Sequence, residues 1–305
     1  MKASEKDVLT TQIYFNAAFP ALKVPLEEDP KQVEKFKNVN AIVEFRAADD
    51  AKPLACYIVF LSEELAVKTA QGKRFKVYQG EYPGNIEMAD GSKLDTLKVV
   101  KMYFKSIPSL LGVFKGNSPA EMLGIVAPLL KNIANPVTFK FLFLMLTLTK
   151  TMPTFTPDVS EPWEQYLKVK LSLYLITRAL STANKQGWPD MADWTKKQPD
   201  RTYQFLVGAT VDKAGKELYP RITANLRVKG GNTKAGKGEA KYPFVLFKFP
   251  NPDGCLAVLT GRYDFVESVN KGCVEIIGAG DSYAIQFNNI MTKCQNMLIP
   301  DKLVK

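Results

Sequence analysis

Residues 253–298 constrain the fold of this chain more than any other stretch. They predict two short helices, at 256–259 and 265–269, and then a short strand at 273–277 that lies between two glycines. The stretch closes with a helix, because its apolar residues recur at three- and four-residue spacing and so form one buried face. These apolar positions are Tyr283, Phe287, Ile290, Met291, Cys294, Met297 and Leu298. A strand followed by an amphipathic helix predicts a sheet with a helix packed on it.

This order of turns, strand and helix resembles the C-terminal part of the sterol carrier protein 2 family. The segments that carry the resemblance are LAVLTGR at 256–262, GCVEIIG at 272–278 and the closing helix. The resemblance implies an α+β fold with an apolar cavity. It also implies a function in binding and transferring a hydrophobic ligand, such as a sterol, a fatty acid or an acyl-CoA, without catalysis.

The elements before this stretch fit the same fold. Residues 163–184 predict a long amphipathic helix, and strands are predicted at 203–207, 221–228 and 244–249. In the second of these strands apolar and polar residues alternate, which is typical of a strand with one buried face. We expect that face to form one wall of a cavity that the last helix closes.

The N-terminal part shows a related order of elements. Residues 7–39 predict helices, and residues 94–104 predict a further helix. Between them the turns contain the Asp, Gly and Pro residues of hairpin connections. The predicted strands lie at 41–46, 54–61, 65–69 and 75–78. The repeated order of helix, strands and helix predicts two copies of a related unit.

The expected architecture is therefore α+β, with two sterol-carrier-like units that are each an antiparallel sheet covered by helices. A diverged first unit is expected at 1–105 and a better-formed second unit at 163–305. Residues 106–162 between them predict an apolar helical segment that ends in a proline-rich linker. Its most hydrophobic run, 137–148, is too short to cross a bilayer and predicts a buried helix.

Composition removes several classes of catalyst. The 305 residues include no histidine, which excludes Ser-His-Asp and Cys-His catalysis within the chain. The cysteines lie far apart without CxxC spacing, so they are expected to be reduced core residues rather than metal ligands or disulfides. We predict no catalytic residues, no metal and no cofactor. The alternative interpretation is an enzyme subunit that presents a lipid or CoA-ester substrate.

The formal net charge of the chain is +10, with lysines spread along its length. Such a surface suits transient contact with an anionic membrane or a CoA-linked ligand, and a nucleic-acid partner is less favoured. The glycine- and lysine-rich segment 229–241 lacks the order of a P-loop and predicts a solvated hairpin connection. With no signal peptide and no membrane-length apolar run, a cytoplasmic location is expected.

The predicted ligand site consists of apolar and aromatic side chains within 253–298. Side chains of this kind line lipid cavities, but they also fill protein cores, so a hollow and a filled unit both fit the pattern. Ligand identity and oligomeric state stay open for the same reason. The predicted ligand-binding residues are Leu256, Leu259, Tyr263, Phe265, Tyr283, Phe287, Ile290, Met291 and Met297.

Overall fold

The computed structural model describes residues 3–49, 53–116, 118–151, 159–278 and 280–301, without the side chains at 150, 151 and 281. The chain forms two compact units. Unit 1 comprises Met1–Thr147 and Leu298–Lys305, and unit 2 comprises Leu148–Met297. Both units combine helices with a mixed sheet, so the predicted α+β class is confirmed.

The boundary between the units differs from the segments expected from the sequence. Residues 106–147, which the sequence sets apart as a helical middle, group with unit 1. Their aromatic side chains explain this grouping, because the rings of Phe114 and Phe141 each lie 5.7 Å from the ring of Phe45 in the sheet of that unit. Residues 152–158 of the predicted linker lie outside the described residues.

Unit 1 places a helical layer on a four-stranded sheet. Its helices are α1 (Glu5–Ile13), α2 (Phe19–Ala21), α3 (Lys23–Glu28), α4 (Pro30–Phe36), α5 (Glu63–Ala66), α6 (Ile107–Lys115), α7 (Pro119–Met122), α8 (Val126–Lys131) and α9 (Pro136–Thr151), which runs past the unit boundary. A π-helical turn occupies Tyr14–Ala18, and a 3-10 turn occupies Leu123–Ile125. Its strands are β1 (Ala41–Ala47), β2 (Leu54–Phe60), β3 (Phe75–Gln79), β4 (Ile86–Glu87), β5 (Lys93–Leu94) and β6 (Lys98–Phe104). The sheet has the order β3-β2-β1-β6, and β4 pairs with β5 as a separate hairpin.

The two faces of this sheet have different neighbours because successive side chains of a strand point to opposite sides. Phe45 on β1 faces the helices, where four rings surround it at centroid distances of 4.8 to 6.5 Å. These rings belong to Phe15, Phe19, Phe114 and Phe141. The opposite face carries Tyr57 and Tyr78, which are register partners on β2 and β3. We call it the outer face of unit 1.

Unit 2 also places helices on a sheet. Its helices are α10 (Pro162–Lys185), α11 (Pro189–Lys196), α12 (Pro252–Leu259), α13 (Phe265–Asn270) and α14 (Asp281–Leu298). Its strands are β7 (Arg201–Val207), β8 (Thr210–Val211), β9 (Glu217–Tyr219), β10 (Ile222–Lys229), β11 (Asn232–Lys237), β12 (Val245–Phe249) and β13 (Glu275–Gly278). The main sheet has the order β11-β10-β7-β12-β13, and β8 pairs with β9.

The two main sheets share one connectivity. In each, the first long strand is central, and the next two long strands form an antiparallel meander on one side of it. The following strand then lies parallel to the first on its other side, as β6 does beside β1 and β12 beside β7. Both sheets are therefore mixed, which corrects the expectation of antiparallel sheets. Parallel neighbours need a crossover, and turn residues do not reveal a crossover in the sequence.

Three local predictions are wrong. The strand predicted at 65–69 is replaced by the end of α5, a turn and an isolated β-bridge at Thr69. The first turn of α5 is capped by the Ser62 hydroxyl oxygen, which accepts from the Leu65 N–H at 3.3 Å. The helix predicted at 94–104 is replaced by β6, because its buried residues alternate and it pairs with β1. The predicted connection at 229–241 contains β11, which pairs with β10.

The apolar run at 137–148 forms α9 as expected, but only part of the helix surface is buried. Phe141 and Leu144 are buried, whereas Phe139 and Phe143 are 46% and 54% exposed. No described helix combines the length and the apolar character that are needed to cross a membrane.

Candidate functional site

The predicted ligand-binding residues lie in the helical layer of unit 2, and their ring contacts show a filled core around Phe287. The ring of Phe287 on α14 stacks on Tyr203 of β7 with 4.3 Å between centroids and 11° between planes. Three further rings contact it at 5.6 to 5.9 Å, those of Trp194, Phe205 and Phe247. Rings at these separations are in van der Waals contact, so a ligand among them requires Phe287 to move.

The structure brings only part of the predicted set together. Leu256, Ile290, Met291 and Met297 are buried with Phe287, and the remaining four residues are partly exposed. Of the partly exposed group, Phe265 lies 6.3 Å from Phe247 and Tyr283 lies 5.1 Å from Phe244. The predicted site therefore stays a prediction, placed where side chains pack on one another. The partly exposed residues are Leu259, Tyr263, Phe265 and Tyr283.

An open groove of about 470 Å³ lies instead on the outer face of unit 1. Its floor is formed by β2 and β3, and one side is formed by the chain around the β4–β5 hairpin. This volume falls within the range of roughly 300 to 1,000 Å³ for small-molecule sites. The groove is lined by Tyr57, Val59, Leu61, Thr69, Gln71, Lys73, Lys76, Tyr78, Pro83, Asn85, Ile86, Glu87, Gly91 and Lys93.

The floor of the groove is aromatic. Tyr57 and Tyr78 stack with 4.9 Å between ring centroids and 9° between planes, and the ring of Tyr82 meets Tyr57 edge-on at 5.3 Å. Below them an apolar cluster that includes Ile42 and Val59 is buried. Burial raises the pKa of all three phenols, so they are neutral at pH 7 and can donate hydrogen bonds.

The rim of the groove is basic. Lys73, Lys76 and Lys93 line it, against the single lining carboxylate of Glu87. The Lys76 Nζ lies 4.5 Å from the centroid of the Tyr78 ring and donates a short hydrogen bond to Gln71. Burial, and then the positive charge of Lys73, lower the pKa of Lys76. Two lysines that repel each other favour a bound anion, because an anion relieves that repulsion.

A smaller cleft of about 290 Å³ adjoins the groove and shares Leu61 and Lys73 with it. Its wall also includes Arg74, whose buried Nε has no hydrogen-bond partner. The adjoining cleft therefore extends the basic character of the groove toward the helices of unit 1.

The buried cysteines offer no reactive thiol, and the described residues offer no cluster of metal ligands. Burial raises the pKa of Cys56, Cys255 and Cys294, so these thiols stay protonated and unreactive at neutral pH. All four cysteines are free, and three of them are buried as expected for core residues, whereas Cys273 is partly exposed. Within the described ranges, no cluster of three acidic or cysteine side chains is placed to hold a metal ion.

The sequence interpretation missed this groove because it treated β2 and β3 only as sheet. A signal was present in the segments LACYIVF and FKVYQ, where Tyr57, Val59, Lys76 and Tyr78 occupy alternate positions. Alternation places such residues on one face of a sheet, and aromatic residues beside lysines on that face combine stacking surfaces with positive charge.

Comparisons with known proteins do not assign the chain. No family model matches it, and no curated protein matches it. Among solved structures, it is similar to the stereoselective inverting sec-alkylsulfatase Pisa1 from Pseudomonas sp., with a TM-score of 0.22 and 13% sequence identity. The similarity covers 57% of this chain and 31% of that protein, and a TM-score this low carries no argument about function. The fold and groove thus define a two-unit α+β protein with an aromatic, basic groove on unit 1.

Proposed function

We propose that the protein binds and carries an anionic amphiphile, a fatty acid or an acyl-CoA, in the groove of unit 1. One observation carries this proposal, namely that the groove joins an apolar, aromatic floor to a rim of three lysines. The proposal keeps the ligand class that the sequence resemblance implies. It moves the binding site from the core of unit 2 to the open face of unit 1.

The two parts of the groove would contribute different terms to binding. Apolar surface that the ligand buries on the floor contributes about 25 cal/mol per Å² of area removed from water. The lysines add attraction for a carboxylate or a phosphate and disfavour an uncharged ligand of the same shape. A sterol lacks that anionic group, so an acyl compound fits this rim better.

No residue of the groove is needed as a catalyst in this proposal. The three tyrosines are protonated, because burial raises their pKa, and they serve to stack and to donate hydrogen bonds. The enzyme-subunit interpretation remains an alternative, in which the same groove presents an acyl-CoA to a partner.

The first test is isothermal titration of decanoyl-CoA into the full chain. We expect saturable binding that Tyr78→Ala weakens by about tenfold, which corresponds to about 1.4 kcal/mol. Tyr242→Ala is the matched control, since Tyr242 is 82% exposed in unit 2 and does not line the groove. Absence of saturable binding, or equal affinities for both variants, would overturn the proposal.

The role of the rim is tested with Lys73→Gln combined with Lys76→Gln. This double variant should weaken decanoyl-CoA and decanoate but leave decanol unchanged, because only the first two ligands carry a negative charge. Equal losses for decanol and decanoate would contradict a role in anion selection.

A second candidate ligand is single-stranded nucleic acid, which also combines planar bases with phosphates. Stacked tyrosines beside lysines favour it, since proteins of that class pair aromatic platforms with a basic groove. A twelve-nucleotide oligothymidylate would lose affinity steeply as salt increases, whereas binding of decanoate through its acyl chain would not. Tight, salt-sensitive binding of the oligonucleotide together with no binding of decanoate would favour this candidate.

A further inference from the structure

An unpaired arginine lies at the end of an otherwise uncharged buried row in unit 2. Arg201 begins β7 and shares its helix-facing side with Tyr203, Phe205 and Val207. Only 8% of the arginine is exposed. An ionised group in such a position is costly unless a partner compensates its charge.

Two aromatic rings contact the guanidinium, and they stand at 76° to each other. Its central carbon lies 3.8 Å from the centroid of Phe244 and 4.7 Å from that of Tyr283. Contact with aromatic rings attracts the positive charge but offers no oxygen acceptor to the N–H donors, which lie in the plane of the guanidinium. The in-plane donors therefore still need acceptors.

Two of the three guanidinium nitrogens have no acceptor in the structure. The Nε and Nη1 atoms of Arg201 are buried without a hydrogen-bond partner, and so is the indole Nε1 of Trp194. Among the residues that the structure describes, no carboxylate forms an ion pair with Arg201. Buried donors are rarely left unpaired in proteins, so each of these asks for an explanation.

Arg201 and Trp194 have a common neighbour in Tyr203. The rings of Trp194 and Tyr203 are 5.3 Å apart, and the Tyr203 hydroxyl donates to Oε1 of Gln198 at 2.9 Å. Burial raises the pKa of Tyr203, and a side-chain hydrogen bond with Arg201 and the charge of Arg201 partly offset this rise. The tyrosine thus stays neutral and leaves the positive charge of Arg201 uncompensated.

We propose that Arg201 and Trp194 form a binding site for an oxyanion, a carboxylate or a phosphate group. Such a group supplies the in-plane acceptors and the negative charge that the arginine lacks. Entry lies past Phe244 and Tyr283, which are partly exposed. The inference goes beyond the proposed function, since the site belongs to unit 2 and needs no residue of the groove.

Titration of the ¹⁵N-labelled full chain with inorganic phosphate tests the site directly. The chain contains three tryptophans, and Trp194→Phe assigns the indole N–H signal of Trp194. We expect this signal and the Arg201 Nε–H signal to shift together, saturably and with one dissociation constant, at constant ionic strength. Acetate should act in the same way and chloride should not.

Arg201→Met should weaken phosphate binding by about tenfold or more, because it removes the charge and the paired donors. The matched control is Arg227→Met, which changes the same charge at an exposed position of the neighbouring strand. It should leave phosphate affinity unchanged. Trp194→Phe keeps an aromatic side chain and should weaken phosphate binding about threefold through loss of one donor.

Octyl phosphate separates the two sources of the anion when its binding is followed at the Trp194 indole and Arg201 Nε–H signals, because these signals do not report binding in the groove of unit 1. Tighter binding than inorganic phosphate indicates the head group of an amphiphile, and equal binding indicates a free anion. The proposal is overturned if neither phosphate nor acetate produces joint saturable shifts in the unmutated protein. It is also overturned if folded Arg201→Met retains the shift of the Trp194 signal.

Discussion

Units 1 and 2 repeat one strand connectivity but differ in what lies on each side of the sheet. On the helix-facing side both place a phenylalanine among four rings, Phe45 in unit 1 and Phe287 in unit 2. One of these phenylalanines comes from a strand and the other from a helix. Every sheet of this kind must bury one apolar face against helices. A ring cluster at that position is therefore explained by folding and does not by itself indicate a function.

The outer faces differ more. In unit 1 this face carries stacked tyrosines and an open groove. In unit 2 the corresponding face holds Gln204, which is 2% exposed and bonds the chain at 238–240 across the sheet. The central strands β1 and β7 differ as well. The row of side chains that faces the helices starts with Ala41 on β1 and with Arg201 on β7. We therefore place the two proposed sites at positions where the units differ. The groove lies on the outer face of unit 1, and the oxyanion site lies at Arg201 of unit 2.

The largest expected effect tests the equivalence of the two cores. Phe287→Ala and Phe45→Ala should each lower the free energy of unfolding by roughly 3 to 5 kcal/mol, since each removes a fully packed ring. Guanidinium denaturation followed by far-UV circular dichroism measures both losses. A loss below about 1 kcal/mol for Phe287→Ala would contradict a filled core and restore the hollow interpretation of unit 2.

The next effect concerns the polar outer face of unit 2. The Gln204 amide nitrogen lies within 3.2 Å of the carbonyl oxygens of Phe205, Ala224 and Gly238, and its oxygen accepts from the Ala240 N–H at 2.8 Å. Gln204→Ala leaves these groups without their partner and should cost about 1 to 3 kcal/mol.

Hydrogen exchange locates that loss. The amide of Ala240 should exchange faster in Gln204→Ala, while amides of β12 stay protected by their ladder. Asn225→Ala is a control on the same face, because Asn225 is bonded to Gly238 alone in this network. Uniformly faster exchange across the sheet would show that Gln204 supports the whole sheet rather than the crossing segment.

A smaller, pH-dependent effect is expected on the outer face of unit 1. The Tyr103 hydroxyl donates to Glu44 at 2.6 Å, and burial followed by this bond raises the pKa of Tyr103 from 10.0 to about 12. The folded state therefore holds this proton longer than the unfolded state. The stabilisation is complete below pH 10 and is lost as the pH rises toward 12.

Tyr103→Phe should cost about 1 kcal/mol at pH 7 and flatten this alkaline loss. Urea denaturation at pH 7 and pH 11 measures the change, with Tyr242→Phe as the exposed control. If both variants show the same alkaline loss as the unmutated chain, the bond to Glu44 is not its source.

How much of this could be predicted depends on the range of the interactions. Local sequence patterns correctly predicted β1, β7, α10 and α14. In each of these elements, the spacing of apolar residues along the sequence is enough to indicate a strand or a helix. The helix predicted at 94–104 is wrong because the segment pairs with β1, whose register partners lie 57 residues earlier in the chain, and this pairing makes it a strand. The pattern could not place β6 beside β1, and so it missed the mixed sheet.

The site was harder to predict than the fold for a related reason. The apolar residues of α14 are equally suited to a core and a cavity, and only the ring distances around Phe287 distinguish them. The groove depends on the stacking of Tyr57 on Tyr78, which lie on different strands. Arg201 showed no signal, because its missing partners are a property of the folded neighbourhood rather than of the sequence.

The smallest expected effect compares one exposed ion pair from each sheet. Arg46 on β1 contacts both carboxylate oxygens of Glu81 at 3.0 and 3.1 Å, whereas Lys248 on β12 makes one contact with Glu275 at 2.9 Å. All four side chains are more than 40% exposed, so solvent screens both pairs. Arg46→Met should cost up to about 1 kcal/mol and Lys248→Met about 0.3 kcal/mol. Denaturation in about 1 M sodium chloride should remove most of the difference, because the Debye length is then about 3 Å. A Lys248→Met loss above about 1 kcal/mol that persists in salt would mean that β13 depends on this lysine for packing rather than for charge.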